Sequence, residues 1–367
     1  MSVALQDIIG FLPLTEALRT VASGVPNPFP ADLFNVAPKN RIIGDRAKYI
    51  RIGGERRTSS IATYGSPSRR RTLKEIGDAK VRMLHTFEEI QIDPLVMLQL
   101  QSFEKYQQDQ GMEWLQYQLD EAAKRTVNTR IISTASTLRH GAIYYDATGQ
   151  LLPNSSGAAR TIDFNVPATH KDQCNGNISA SWALDTTDIL GDLRNLRQYA
   201  KQETGLEFDT ALYGINLPRY IQQNPTTQSY LSRNSGMNDY ILQSGEIPTG
   251  FGGVKNWIPV YTSFFESDDA GTVSEIWDDD LMVLIPSISQ PDKMTWWGMF
   301  EGSFPVPKTI DIQRDPMGAQ NAYETMFGMF SYAIPGHNPP GYTIHYGDVW
   351  LPGLRNEKAI FMADVAF

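Results

Sequence analysis

Cysteine is nearly missing from this 367-residue chain: Cys174 is the only one. A single thiol excludes an internal disulfide framework and a cysteine-based zinc site, and it points to synthesis in a reducing cytoplasm. Long apolar runs are missing as well. No stretch approaches the roughly eighteen apolar residues that a membrane-crossing helix needs, so no transmembrane segment and no membrane partner are expected. The opening MSVALQDIIGFLPLTEALRTVASG lacks a cationic start and carries Asp7 and Glu16 within its apolar part, which makes a poor signal peptide. Catalytic punctuation is absent too: there is no GxSxG, no phosphate-cradling GxxxxGK[ST] and no GxGxxG opening a helix. The histidines, His85, His140, His170, His337 and His345, fall at no metal-ligand spacing, and a structural place is expected for each. No cofactor, no metal and no enzymatic activity are expected.

What is present is a folded composition, 41% hydrophobic and 11% aromatic, in a chain long enough for two domains. Its 22 prolines and 29 glycines imply much loop and turn. The net charge of −9 is unevenly spread. From Lys39 to Arg82 there are 13 Lys/Arg against 4 Asp/Glu, or +9; the remaining 323 residues carry 19 against 37, or −18. A basic segment on an acidic body binds either an external polyanion or the acidic surface of another copy.

The strongest periodic signal lies between Gly111 and Gly141. Leu115, Leu119, Ala123, Val127, Ile131, Ala135 and Leu138 recur at steps of three or four, the spacing of one helical face. Gln116, Asp120, Lys124, Asn128 and Arg130 fall on other faces, with Asp120 four residues before Lys124 in the favourable order for an ion pair. Gly141 suits a left-handed C-terminal cap. As one helix this segment is about 42 Å long at roughly 1.5 Å per residue; two shorter core helices broken near Thr126–Asn128 are the alternative.

Ahead of it, residues 1–38 read as an arm. A short helix is expected over 15–22, and Pro26, Pro28 and Pro30 then hold the backbone extended. Such an arm has no core of its own and must dock on something. Residues 39–85 read as a long β-hairpin, with Tyr49, Ile50 and Ile52 on one strand and Leu73, Ile76, Ala79, Val81 and Met83 on the return. A strand is expected over 84–93, then a helix from Pro94 with Leu95, Leu98 and Phe103 facing the core. After Gly141 the sequence predicts a second hairpin around the turn at 146–149, a strand over 178–184, and a helix over 185–205 that Thr187 caps and Gly205 ends. It further predicts a strand over 208–213, short helices over 217–245, and strands over 257–265, 280–287, 343–351 and 358–365.

Three constellations are candidates for chemistry. Asp278, Asp279 and Asp280 form the densest acid cluster, but neighbours on a strand point to opposite faces, so an acidic turn opening the strand is favoured over a cation site. Glu88 and Glu89 read as a solvated edge for the same reason. Trp296 and Trp297 with Phe300 and Phe304 read as buried packing. The basic hairpin is the better functional candidate, with Arg51, Arg56, Arg57, Arg69, Arg70, Arg71 and Lys74 as contact residues. Only Tyr49 and Tyr64 interleave its cations, so a base-stacking single-strand binder is disfavoured. The −18 remainder repels nucleic acid and attracts the loop of an identical neighbour. A nucleic-acid-binding protein using the hairpin at 39–82 is the alternative.

The order of parts carries a resemblance. TIDFNVPATH with Trp182 and the helix after it, IWDDDLMVLIP, and the ending GDVWLPGLRNEKAIFMADV, set after an arm, a basic hairpin and a long helix, resemble the major capsid proteins of tailed bacteriophages. The likeness is greatest to the lambda-like "major capsid protein E" family and covers nearly the whole chain. It implies an α+β fold of the Hong Kong ninety-seven type. The parts are an N-terminal arm (1–38), an extended loop (39–85), a peripheral domain with the spine helix (86–184 and 336–367) and an axial domain (185–335). It also implies self-assembly into hexamers and pentamers of an icosahedral shell, built in the host cytoplasm around double-stranded DNA held without sequence specificity. Scaffolding, portal and decoration proteins are the further partners it allows.

Overall fold

A computed structural model of the chain describes residues 11–51, 77–102, 104–233, 235–260, 263–265, 273–289, 293–307, 323–337 and 340–367. The arm holds helix α1 (Phe11–Gly24), which starts a turn earlier than expected, and a single turn, α2 (Ala31–Phe34). Leu14, Leu18 and Leu33 are buried. Strands β1 (Arg41–Ile42), β2 (Arg46–Arg51), β3 (Gly77–Arg82) and β4 (Leu84–Ile92) follow. β2 and β3 pair antiparallel, which is the base of the expected hairpin; its tip lies outside the described residues.

Helix α3 (Pro94–Leu100) is capped by Asp93, whose carboxylate accepts from the Leu95 amide at 2.7 Å. Its core contacts are Met97 and Leu100, while Leu95 and Leu98 are exposed. The expected face was out of phase; Phe103 lies outside the described residues. The long helix is single. α4 (Lys105–His140) runs 36 residues, about 54 Å at 1.5 Å per residue. It begins ahead of Gly111 and passes through it. A Cβ at 111 would meet the Leu100 side chain and backbone at 3.1 Å, so this glycine lets α3 cross close to α4. All seven predicted stripe residues are buried. The polar middle does not break the helix because Thr126 and Thr137 donate to the carbonyls of Ala122 and Ser133, both at 2.8 Å. Gly141 caps the end in the left-handed region (φ 68°), its amide on the Thr137 carbonyl.

Beyond α4, β5 (Ala142–Tyr145), β6 (Leu151–Leu152) and β7 (Arg160–Asp163) form a small sheet with β5 central. No strand forms over 178–184. Asp172, Cys174 and Asn175 take positive φ there, and the loop is pinned by Trp182, whose indole donates to Asp192 at 3.1 Å. Helix α5 (Ile189–Thr204) is capped by Asp188 rather than Thr187, because the Thr187 hydroxyl is committed to the Ser181 carbonyl at 2.6 Å. Then come β8 (Phe208–Tyr213), α6 (Leu217–Gln223), α7 (Pro225–Arg233), α8 (Ser235–Ser244), β9 (Asn256–Pro259), β10 (Ser263–Phe265), β11 (Val273–Glu275) and β12 (Leu281–Pro286). The expected strand at 257–265 is thus two strands, in different sheets. The chain ends with α9 (Lys293–Trp296), β13 (Trp297–Pro307), β14 (Tyr323–Phe327), β15 (Phe330–His337), β16 (Pro340–Leu354) and β17 (Phe361–Asp364).

Two larger sheets organise these α+β elements. In the first, β16 is central, with β15 and β13 along one edge and β4 along the other; β1 and β14 add to β13. In the second the order is β17-β12-β8-β9, and β12 is buried throughout. Strand pairing therefore corrects the boundary drawn at 335/336. β13, β14 and β15 belong with the long helix, and β17 belongs with the second sheet, because a strand's place is set by the partner that satisfies its amides.

The long helix is fixed to the first sheet by a buried charge. Arg130, expected on a solvent face, is buried, and its Nη2 donates to Asp348 Oδ1 of β16 at 2.6 Å while Nε donates to Oδ2. The carboxylate of Glu301 on β13 stands 3.4 Å away. Burial alone pushes the guanidinium pKa down, but Asp348 and Glu301 carry it above its ordinary value. The Trp350 indole donates to Ser133 at 3.0 Å, next along the same contact. Asp348→Ala leaves a buried, uncompensated guanidinium and is expected to cost about 3–5 kcal/mol. The paired replacement Arg130→Met/Asp348→Leu is expected to cost less than Asp348→Ala alone. Denaturant midpoints at constant m-value check this; losses that simply add would contradict a coupled pair.

Candidate assembly surface

The hairpin base is built into the sheet. Ala47 and Met83 are buried, and β1 runs parallel to β13 at Glu301 and Gly302. A Cβ at 302 would stand 2.4 Å from Val349 and 2.6 Å from Met83, so glycine is what admits the hairpin's return strand. Arg41 reaches Glu301 at 3.4 Å, the same carboxylate that stands beside Arg130. Asn40 donates to the Met299 carbonyl at 3.0 Å and accepts from Arg355 at 2.6 Å.

The arm docks on the chain's own long helix and sheet. The Thr15 hydroxyl donates to the Ser331 carbonyl at 2.9 Å and accepts from the Ser331 amide at 3.1 Å. Arg19 donates to the carbonyls of Phe327 (2.7 Å) and Met329 (2.8 Å). The Trp297 indole donates to the Leu33 carbonyl at 2.9 Å. These contacts place the arm against β15 and the start of β13, next to the hairpin base.

Of the predicted contact residues, Arg51 ends β2 opposite Gly77. Arg56, Arg57, Arg69, Arg70, Arg71 and Lys74 lie outside the described residues. Sequence reasoning missed the arginines that do the anchoring: Arg19, Arg41 and Arg130. Their only signal was an acidic residue placed inside apolar strands, Glu301 in WGMFEGSF and Asp348 in HYGDVWL.

A second charged region lies where α4 ends. A cavity of about 560 Å³ is lined by Arg139, His140, Tyr144 and Lys171 and by the carboxylates of Asp172, Glu275, Asp278, Asp279, Asp280 and Asp364. Asp278 is ion-paired with Arg139, and Lys171 donates to the His140 carbonyl at 2.9 Å. Asp280 accepts from Asn216 at 2.9 Å and from the Tyr220 hydroxyl at 2.7 Å. The three adjacent aspartates thus have separate partners or directions, and they form the turn that opens β12. Among the described residues no group of three or more His, Cys, Asp or Glu is arranged to hold a metal ion. Trp296, Trp297 and Phe300 are buried packing. Glu88 accepts from the Tyr346 hydroxyl, and Glu89 stands 3.7 Å from His345.

No protein-family model and no curated protein matches the chain. Among solved structures it is similar to a phage-related protein of Bordetella bronchiseptica RB50, at 12% identity over 96% of this chain and 97% of that one, with a TM-score of 0.47. It is similar to a virus-like particle from Pyrococcus furiosus, at 9% identity over 96% and 98%, TM-score 0.46. It is similar to the satellite phage P4 procapsid that includes the size determination protein, at 9% identity over 96% and 99%, TM-score 0.44.

His170 lies under the second sheet, stacked on Phe361 with ring centroids 4.0 Å apart and Nδ1 3.3 Å from the Ile360 carbonyl. Burial pushes its pKa down to about 4 from 6.5. The unfolded chain takes up this proton as pH falls through about 6.5, and the folded chain only near 4. The unfolded state therefore binds more protons in that window, and stability falls as pH falls. Equilibrium unfolding at pH 7, 6 and 5 should show this loss, and His170→Leu should flatten it. An equal slope in the variant would contradict the assignment.

Proposed function

We propose that the chain is the major capsid protein of a tailed bacteriophage, of the Hong Kong ninety-seven type and of the lambda-like kind. One observation carries this reading. A single helix of 36 residues is clamped to a sheet, and that same sheet anchors both an arm and the base of a strongly cationic hairpin. A soluble monomer gains nothing from a basic extension of that length set into its framework. A subunit that must reach a neighbour does.

In this reading the arm (1–38) and loop (39–85) are the reaching parts. The peripheral unit is α4 with the β16 sheet, about 86–170 plus 293–357. The axial unit is the β12 sheet with its helices, about 171–289 plus 359–367. Subunits meet head to tail, so one patch binds a different patch, and rings close into hexamers and pentamers. Exposed ion pairs contribute about 0–1 kcal/mol each, so repetition over many subunits carries the stability, and charge sets register and encounter rate. The shell encloses double-stranded DNA without reading its sequence. Scaffolding, portal and decoration proteins are its further partners, it assembles in the host cytoplasm, and it catalyses no reaction.

Electron microscopy of the overexpressed full chain tests the proposal, with shells, tubes or capsomers expected. Arg69→Gln, Arg70→Gln and Arg71→Gln together should prevent normal shells while the circular dichroism of the monomer stays unchanged. Normal shells from that variant would remove the loop from the mechanism. A wild-type chain that stays monomeric at every concentration would remove the shell reading itself.

A further inference from the structure

The base of the hairpin has a charge arrangement that strand pairing opposes. The register of β2 and β3 sets Arg46 opposite Arg82 and Lys48 opposite Lys80. Residues two apart on a strand share a face, so the four cations stand on one side of the ribbon. All four are exposed, whereas Ala47 between two of them is buried and Val81 is half-buried. Opposed residues in an antiparallel pair have Cβ atoms about 4.5–5.5 Å apart, and like charges at that distance weaken the pairing. Each strand has six residues, and two of the six register positions hold like-charge pairs. A local conflict of this kind marks a surface meant for something outside the ribbon.

We propose that the quartet Arg46, Lys48, Lys80 and Arg82 is a docking surface for the carboxylate-rich face of a second copy of this chain. The inference rests on the shell reading, and it concerns residues other than the loop-tip arginines. Charge complementarity selects the occupant. Outside 39–82 the chain carries −18, so the polyanion most available to the ribbon during assembly is the chain itself. That charge is dense at Glu275, Asp278 and Asp279, which are exposed on the rim of the cavity at the end of α4. A phosphate backbone offers the ribbon the same charge, but the acidic remainder of the body repels it. The ribbon is also held at a fixed height above the sheet by the buried Ala47 and Met83, so the quartet meets its partner as a rigid plane rather than as four separate side chains.

The double reversal Lys80→Glu/Arg82→Glu is the informative variant, because it turns both like-charge pairs into opposite-charge pairs. The unassembled variant is expected to melt at the same temperature as wild type or higher. Its half-assembly concentration is expected to rise about tenfold or more. Assembled wild type made from mixed light and ¹⁵N-labelled chains, treated with a carbodiimide, should yield amide links from Lys48 or Lys80 to Asp or Glu of the other isotope. Links within one isotope only, or unchanged assembly of the reversal variant, would overturn the quartet inference and leave the shell reading standing. Normal assembly of that variant with weakened, salt-sensitive retention of a double-stranded DNA fragment would also overturn it, in favour of a phosphate partner. A wild type that forms no oligomer would overturn the shell reading and this inference together.

Discussion

Everything in the first half of the molecule is held in relation by one buried guanidinium. Arg130 sits well inside a 36-residue helix and meets Asp348 in the central strand of the main sheet. A charge in that position is expensive unless its partner is in place. The pair therefore adds little net stability over an apolar substitute, and much specificity. It fixes which turn of α4 faces which residue of β16, a register that a stripe of alanines and leucines leaves loose. Glu301 extends the constraint, since it stands within 3.4 Å of both Arg130 and Arg41. Through it the entry to the hairpin is tied to the long helix, and Arg19 ties the arm to the same sheet through backbone carbonyls.

From this frame the division of labour follows. The rigid part is helix on sheet, with apolar contacts carrying most of the burial. The projecting part is cationic and has few apolar groups. The second sheet, with its own core around Trp182, Phe251 and Phe361, packs as a separate unit whose last strand comes from the C-terminal end of the chain. Both ends of the chain are thus incorporated, the arm in the first unit and β17 in the second. A subunit that has to survive lateral forces in a shell gains from having neither unit able to detach by fraying at a terminus.

Much of this was legible in the residues. The seven-residue stripe gave α4, and Gly141 and Gly205 gave two helix ends, because a left-handed cap is a local requirement that glycine alone meets cheaply. The hairpin base, β4, β8 and β12 were equally local. What could not be read was set by distant partners. Gly111 looked like a boundary, and its role is the crossing of α3. Leu95 and Leu98 looked like a core face, but Asp93 and Pro94 set the helix start so that Met97 and Leu100 turn inward. Thr187 looked like a cap until its hydroxyl was seen bonded to Ser181. Arg130 looked like a surface residue because its acid is 218 positions away. The assignment of β13 to β15 to one sheet and β17 to the other depends on pairings between segments far apart in sequence, which periodicity does not encode.

The central claim is that a prebuilt helix–sheet frame presents a cationic ribbon to a neighbour. Amide hydrogen exchange on the full chain, dilute and then assembled, tests it most directly. The account predicts that amides in the buried half of α4 and in β16 exchange slowly and equally in both states, while those of β2 and β3 gain protection only on assembly. Ribbon amides already as protected in the dilute chain as those of β16, or a frame whose protection appears only on assembly, would contradict it.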